Sequence, residues 1–356
     1  MNSKLQKFIF IWIFLSIYTV MHIYSFLRVS EVLSIERTVM FYSLLFFLAF
    51  SYFLAAYLEK KYYNDFTRSF YTFSATWMGV IFIGFFMLAV FEIFKGAFVD
   101  EKGFLISLLV LTGIISLYAI LNARNIRIKK LDIPMNGLKK KVKAVQLSDI
   151  HIGTNRNSNY LNKIVEMTNL LEPDIVFLTG DLVDGSAPLH KDMFDPLKEL
   201  EAPCYYIIGN HELYEGVDNV LDILEDTGIE ILRNQSRKYK GLQIIGLDHS
   251  EKRNYVKDQL RNIKVKSPSV LLFHPPYGTN HARDVGVDLM LSGHTHNGQI
   301  FPFSLLVELF YNDITGLHRK GGMHLYISPG TGTWGPYMRL GSRNEITVLN
   351  LKPRSS

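Results

Sequence analysis

Four long apolar runs occupy the first third of the chain, and they constrain its fold more than any other feature. Each run is long enough to cross a hydrocarbon core of about 30 Å as a helix that rises about 1.5 Å per residue. Helices of a globular bundle would need polar faces that these runs lack, and the three runs after the first disfavour a cleavable signal peptide. The sequence therefore predicts a transmembrane region over residues 1–123, with four helices near Phe8–Leu27, Val39–Leu58, Tyr71–Phe94 and Phe104–Leu121.

Composition excludes several other classes of protein. Hydrophobic residues make up 48% of the 356 residues, and the excess lies in the four runs. Cys204 is the only cysteine, which excludes an intrachain disulfide and any cysteine-rich metal cluster. The net charge of +5 resembles a nucleic-acid-binding signal, but much of the basic excess lies between residues 124 and 143. That position fits contact with an anionic membrane surface, so no nucleic-acid partner is expected.

The distribution of Lys and Arg in the short loops predicts how the four spans are oriented. Thirteen basic residues flank the spans on the side of the amino terminus, and four lie on the opposite side. The positive-inside rule therefore puts both termini and the second half of the chain in the cytoplasm, as a multi-pass protein of the cell membrane. The thirteen are Lys4, Lys7, Lys60, Lys61, Arg68, Arg124, Arg127, Lys129, Lys130, Lys139, Lys140, Lys141 and Lys143, and the four are Arg28, Arg37, Lys95 and Lys102.

From residue 141 the pattern changes to short apolar strands separated by segments of helix length. Early alternation of strands and helices, followed by a strand-rich and glycine-rich end, predicts an α/β fold in which two mixed β-sheets pack as a sandwich flanked by helices. Residues 124–140 are predicted to form a basic linker, and residues 141–356 the second domain. Strands are predicted at Val142–Leu147, Ile175–Leu178, Tyr205–Ile208, Ile229–Leu232, Leu242–Gly246, Val270–Phe273, Leu289–Leu291, His324–Ile327 and Ile346–Leu351, and helices at Ser158–Leu171, Met193–Glu201, Val217–Thr227 and Tyr255–Ile263.

Five short polar blocks each follow one of the apolar runs that are predicted strands. Side chains at the ends of several strands of one sheet converge on the same edge of a domain. Carboxylate oxygen, amide oxygen and imidazole nitrogen without thiolate suit Mn, Fe, Zn or Mg. Two such divalent ions can clamp the attacking and leaving oxygens of an in-line displacement at phosphorus. The predicted metal ligands are Asp149, His151, Asp181, Asn210, His274, His294 and His296.

The spacing within these blocks suggests how the ligands share the ions. Asp149 and His151 are two positions apart, so both side chains would leave the same side of an extended segment and meet one ion. His294 and His296 repeat this spacing. The carboxylate of Asp181 has two oxygens and can bridge two cations.

The five blocks together resemble the calcineurin-like metallophosphoesterases, whose pattern runs D-x-H, G-D, G-N-H-[DE], H and G-H-x-H. The resemblance covers roughly Lys141 to Leu351 and is greatest for the membrane-anchored bacterial branch, although Asn297 stands where that branch commonly has glycine. It implies a metal-dependent phosphoric ester hydrolase in which His211 contacts the phosphate and protonates or orients the leaving oxygen. It also implies two ligand sets that share Asp181, one with Asp149, His151 and His296 and the other with Asn210, His274 and His294.

The implied chemistry is hydrolysis at phosphorus. Two dications would lower the pKa of a water that bridges them, and the resulting hydroxide would be the nucleophile. Asp184 and Glu212 are candidates to orient ligand histidines. Arg339 could line a phosphate groove together with His249, His318, His324 and Arg343.

Three functions stay open at this point. The first is hydrolysis of phosphodiesters or pyrophosphates of lipid-linked precursors at the bilayer surface. The second is the same hydrolysis of soluble nucleotides or phosphoproteins, with the spans as an anchor. The third is a non-catalytic membrane sensor that retains a metal site. Loss of a ligand would favour the third reading, and none is lost.

Overall fold

A computed structural model describes the backbone of residues 3–354 and the side chains from Trp12 to Arg354. The chain divides into two compact units. The helical unit extends to Leu121 and includes the short segment Gly335–Met338. The second unit begins at Asn122 and holds the remaining described residues.

The helical unit confirms the prediction of four membrane helices. Four helices within the described residues are long and apolar enough to cross a membrane. The side chains of the first predicted run that precede Trp12 lie outside the described residues. The helices are α1 (Ser3–Leu33), α2 (Val39–Tyr62), α3 (Asp65–Phe94) and α4 (Glu101–Arg124).

Polar groups at the helix ends explain why these helices are longer than the apolar runs. Asn64 caps α3, because its side-chain oxygen accepts hydrogen bonds from the backbone N–H groups of Phe66 and Thr67, each at 3.0 Å. Glu92, the one acidic residue inside a predicted run, pairs with Arg28 of α1 and with Lys95, whose Nζ lies 2.8 Å from its carboxylate. The charge within the third span is thus paired.

The second unit consists of two mixed six-stranded sheets in the described part of the chain, which confirms the predicted fold class. The first sheet has the order β1-β12-β2-β3-β4-β5 and the second the order β10-β11-β9-β8-β7-β6. The strands of the first sheet are β1 (Ile126–Met135), β2 (Val142–Leu147), β3 (Ile175–Leu178), β4 (Cys204–Tyr206), β5 (Glu230–Ile231) and β12 (Asn344–Pro353). Those of the second are β6 (Gln235–Tyr239), β7 (Leu242–Leu247), β8 (Ser269–Phe273), β9 (Leu289–Ser292), β10 (Gly316–Lys320) and β11 (Met323–Ile327).

Three hydrophobic clusters define the layers. Phe177 and Ile207 of the first sheet pack in one cluster with Ile244 and Leu272 of the second, so this cluster is the core of the sandwich. A second cluster joins the outer face of the first sheet to α5 (Ser158–Asn169) and α7 (Val217–Leu224). A third joins the outer face of the second sheet to α8 (Tyr255–Leu260) and α9 (Thr279–Asp284). The remaining α-helices of this unit are α6 (Asn210–Glu215) and α10 (Phe303–Glu308).

The structure corrects the prediction of a linker at residues 124–140. Most of this segment is β1, which pairs in parallel with β12 from Ile126 opposite Asn344 to Met135 opposite Pro353. Ile133 and Met135 are fully buried in the core of the sandwich. The basic residues concealed the strand, because Arg127, Lys129 and Lys130 lie in its first half, and fully buried apolar side chains occur only near its end. Asn125 is therefore all that separates α4 from the first sheet.

Candidate metal centre

Five strands deliver the predicted ligands to one region of the second unit. All seven predicted ligands follow the carboxyl ends of β2, β3, β4, β8 and β9. Ligand atoms lie within 4.8 Å of one another in three groups, which are Asp149 with His151 and His296, Asp181 with His274 and His294, and His151 with Asp184 and His211. His296 thus belongs to the first group, and His294 belongs to the second. This is the division that the family resemblance implies, and the ligand roles themselves stay a prediction.

The backbone explanation for the two-residue spacing was wrong. Asp149 and His151 have φ of 52° and 56°, in the left-handed region, rather than an extended conformation. Asp181, His294 and His296 also have positive φ. Such conformations are uncommon for residues other than glycine, and they cluster where a site requires a particular side-chain direction. The loops after β2, β3 and β9 therefore use left-handed backbone to direct these ligand side chains.

Glycines beside the ligands permit close approach of the loops. A Cβ atom on Gly209 would lie 2.2 Å from Asp181 Oδ1, and one on Gly293 would lie 2.1 Å from Asp149 Oδ2. Both distances are shorter than any real contact, so any side chain here would displace a carboxylate. The structure also explains why asparagine can replace glycine at position 297. Its φ of 51° is a left-handed conformation that asparagine tolerates better than most residues.

The first group is a set of buried, neutral imidazoles around a carboxylate. His151 Nε2 lies 3.0 Å from His296 Nε2, which in turn lies 3.3 Å from Asp149 Oδ1. Burial lowers the pKa of both histidines well below the ordinary value, and each ring lowers the pKa of other histidines around it. Burial raises the pKa of Asp149 to about 6. Two ring nitrogens 3.0 Å apart, one of them beside a carboxylate oxygen, form a donor set suited to a divalent ion.

The second group surrounds Asp181. His274 Nε2 lies 3.1 Å from Asp181 Oδ2, and its Nδ1 bonds to the carbonyl oxygen of Thr179 at 2.7 Å, which fixes the ring orientation. Burial would lower the pKa of His274, but Asp181 and Asp149 raise it to about 10. Burial lowers the pKa of His294 to about 3. The amide oxygen of Asn210 is buried without a hydrogen-bond partner, so this set has an unsatisfied oxygen that a cation would satisfy.

His211 lies between the first group and the surface of the unit. Its Nδ1 bonds to the carbonyl oxygen of Asp184 at 2.7 Å, which leaves Nε2 as the ring nitrogen for a ligand. Burial opposes the charged ring, but Asp181 and Asp184 raise the pKa of His211 overall. The carboxylate of Asp184 also lies 3.6 Å from His151 Nδ1. Asp184 therefore lies against two histidines of the site, one through its backbone and one through its side chain.

Glu212 orients backbone rather than a histidine. Its buried carboxylate accepts hydrogen bonds from four backbone N–H groups of the site loops, at 2.7 to 3.2 Å. They belong to Gly209, Asp181, Leu182 and Val183. Glu212 thereby fixes the loop after β3, which bears Asp181, against the loop after β4.

Arg339 supports the site from behind and does not line a groove. Its guanidinium is fully buried and donates to the carbonyl oxygen of His296 at 2.8 Å and to Asn344 Oδ1 at 2.9 Å. Burial lowers the pKa of Arg339 to about 9. Of the other residues predicted to line a groove with it, His318 bonds to the carbonyl oxygen of Thr315 and pairs with Asp313, and His324 lies on β11.

A cavity of about 720 Å³ adjoins the second group. Asn210, His294 and His249 line it, together with an aromatic wall of Tyr214, Tyr277, Phe310 and Tyr311. The ring centroid of His249 lies 5.7 Å from that of His294, so His249 belongs to the site. Sequence reasoning placed His249 only in a general groove. His249 lies two residues after the end of β7. The strand-end pattern that identified the predicted ligands could therefore also have identified His249.

Comparison with known proteins agrees with this geometry. The Calcineurin-like phosphoesterase family matches residues 142–298. An uncharacterised metallophosphoesterase of Campylobacter jejuni is 37% identical over 260 residues, which cover 70% of each chain. A transmembrane protein with metallophosphoesterase domain from Danio rerio is 33% identical over 273 residues, covering 68% of this chain and 62% of that protein.

The sheets, the strand-end site and these relatives define a metal-dependent hydrolase of phosphoric esters. The chain belongs to the calcineurin-like metallophosphoesterase family. A solved dimetal phosphatase from Danio rerio superposes with a TM-score of 0.35 at 11% identity, over 53% of this chain and 87% of that one.

Replacement of Glu212 tests its role in fixing the two loops. Glu212→Gln substitutes an amide N–H₂ for one acceptor and leaves buried N–H groups unpaired, at a cost of about 1–3 kcal/mol. We expect a lower thermal unfolding temperature and metal binding weakened by about 10–100-fold, as measured by scanning fluorimetry and by titration with Mn²⁺. Glu225→Gln, at an exposed position, is the matched control. Equal behaviour of the two variants would contradict the assigned role.

Proposed function

We propose that the protein is a membrane-bound dinuclear-metal phosphoesterase that hydrolyses phosphodiester or pyrophosphate bonds of lipid-linked substrates. One ion would be held by Asp149, His151, Asp181 and His296. The second would be held by the same aspartate together with Asn210, His274 and His294. The observation that supports this most directly is that the ligand atoms form two groups, each within 4.8 Å of one another, with every side chain buried except the partly buried His294.

The donor sets fit divalent cations. Imidazole nitrogens, carboxylate oxygens and one unsatisfied amide oxygen suit Mn, Fe, Zn or Mg, whose identity is left open. Bound ions would supply Lewis-acid activation of a water molecule and would neutralise charge on the phosphoryl oxygens.

His211 is proposed as the general acid. Its Nδ1–H donates to the carbonyl oxygen of Asp184. A protonated ring could therefore give the proton on Nε2 to the leaving oxygen and remain as the neutral Nδ1–H tautomer. Asp184 holds the ring in that orientation throughout.

The catalytic unit is proposed to face the cytoplasm. The excess of thirteen basic residues over four supports this orientation. Three of the thirteen, Arg127, Lys129 and Lys130, lie on β1. They are still close enough to the end of the fourth span to be counted under the positive-inside rule. The substrate would then be a phosphoester presented at the inner leaflet.

Loss of Asp181 should remove one ion. Asp181→Ala deletes the carboxylate shared by both sets, so we expect about one ion per chain and almost no turnover of bis-p-nitrophenyl phosphate. Metal content would be measured by inductively coupled plasma mass spectrometry, with chelator-treated wild type reloaded with Mn²⁺ as the reference. Two ions per chain in this variant would rule out the shared position.

Loss of His211 should separate binding from catalysis. We expect His211→Ala to retain both ions and to lose about two to four orders of magnitude in kcat, the range for removal of a general acid. Metal content and steady-state rates would be measured on the same preparation. A fall in metal content with full rate restored by added Mn²⁺ would make His211 a ligand instead.

Thiol labelling tests the orientation. Cys204 is buried, and burial raises its pKa to about 12, so the native thiol gives little background. We expect Leu170→Cys, exposed on the catalytic unit, to resist an impermeant maleimide in intact cells and to react after permeabilisation. Val99→Cys, exposed between α3 and α4, should react without permeabilisation. The reverse pattern would place the catalytic unit outside.

A further inference from the structure

The segment that follows the last site histidines exposes an unusual number of large apolar side chains. We call Phe301–Phe310, which contains α10, the apolar segment. Leu309 and Phe310 are 78% and 82% exposed. Exposed apolar clusters of this kind mark surfaces that contact a membrane or a protein. The other exposed members are Phe301, Phe303, Leu305 and Leu306.

The apolar segment is continuous with the candidate metal centre. Phe310 and Tyr311 line the same cavity as Asn210 and His294. The ring centroid of Tyr311 lies 5.8 Å from that of His294. A ligand bound at the second group therefore meets aromatic rings that lead to the apolar segment.

Two further exposed aromatic rings lie near His211. The centroids of Tyr214 and Trp334 lie 5.3 and 6.3 Å from that of His211, and both side chains are exposed. The backbone of Trp334 is fixed, because the side chain of Gln299 bonds to its N–H at 2.9 Å and to its carbonyl oxygen at 2.8 Å. Aromatic side chains with one polar end are typical of the membrane–water interface.

The chain itself indicates what covers this surface. Four candidate membrane spans precede the catalytic unit, and only Asn125 separates α4 from β1. The chain therefore joins the catalytic unit directly to the candidate spans. Exposed Arg319 on β10 follows the apolar segment in the chain, and such a basic residue suits anionic head groups. A leucine- and phenylalanine-rich segment followed in the chain by an exposed basic residue has the apolar face expected of an interfacial anchor.

We infer that the apolar segment inserts into the acyl boundary of the membrane that holds the spans, and that the aromatic cavity takes a phospholipid head group whose tail leaves along this segment. The substrate part of this inference rests on the proposed function. The membrane contact does not, because it concerns only the exposed side chains.

A spin label tests the membrane contact. Leu309→Cys in the full-length protein carries a nitroxide, while Cys204 is buried and stays unlabelled. In vesicles of phosphatidylethanolamine and phosphatidylglycerol, we expect oxygen to accelerate the relaxation of the nitroxide at position 309. We expect a water-soluble nickel chelate to have little effect on it. Leu170 directly follows α5 and is 83% exposed, so Leu170→Cys is the matched aqueous control. Equal nickel accessibility at the two positions would show that lipid does not shield the apolar segment. That result would overturn the inference.

A kinetic comparison tests the route of the tail. In the double variant L305S/L309S, neither changed residue lines the cavity. We expect kcat/KM for bis-p-nitrophenyl phosphate to be unchanged. For diacylglycerol pyrophosphate in the same vesicles we expect kcat/KM to fall roughly tenfold or more, because the site is no longer held at the bilayer surface where this substrate is concentrated. Leu170→Ser should change neither value.

The outcomes separate the two proposals. Equal loss on both substrates, or no loss on the lipid, would overturn the role of the apolar segment in substrate capture. A wild-type protein that hydrolyses neither substrate, with a label at 309 that is shielded by lipid, would refute the proposed function and leave the membrane contact standing.

Discussion

The whole site depends on how Asp181 is held. Its backbone N–H donates to Glu212 at 3.1 Å, and its carbonyl oxygen accepts from the N–H of His151 at 3.1 Å. Its Oδ1 accepts from the N–H of His211 at 3.0 Å, while Oδ2 faces His274 Nε2 at 3.1 Å. Because one buried residue contacts the loops after β2, β3, β4 and β8, the ends of both sheets are fixed around a single carboxylate. Displacing Asp181 would therefore disturb every group at once.

Much of this arrangement could be predicted from the sequence, because strand ends in a sheet meet at one edge. That rule brought all seven predicted ligands to the strand ends of one region, and the alternation of strands and helices predicted the two mixed sheets. It could not predict the left-handed backbone at Asp149 or His294, which depends on tertiary contacts that hold a strained conformation. β1 was missed because its partner β12 lies more than two hundred residues away in the chain and because its first half contains three basic residues. The position of Arg339 behind His296 likewise depends on contacts that sequence spacing does not contain.

The membrane region and the metal centre are consistent with one task. The proposed membrane contact would explain why an exposed apolar segment lies beside the site in a chain that also carries four candidate membrane spans. The aromatic wall of the cavity, with Tyr277 and Tyr311, offers apolar surface next to ligands that suit a charged phosphate. Amphipathic substrates combine the same two requirements in one molecule.

The central claim is that these side chains hold two divalent ions that share Asp181. Electron paramagnetic resonance of the full-length protein loaded with Mn²⁺ tests it most directly, because two ions joined by a common carboxylate are magnetically coupled. We expect the hyperfine pattern of an exchange-coupled pair at saturation, and its replacement by that of an isolated ion in Asp181→Ala. A spectrum of isolated, uncoupled ions in the saturated wild-type protein would contradict the shared site.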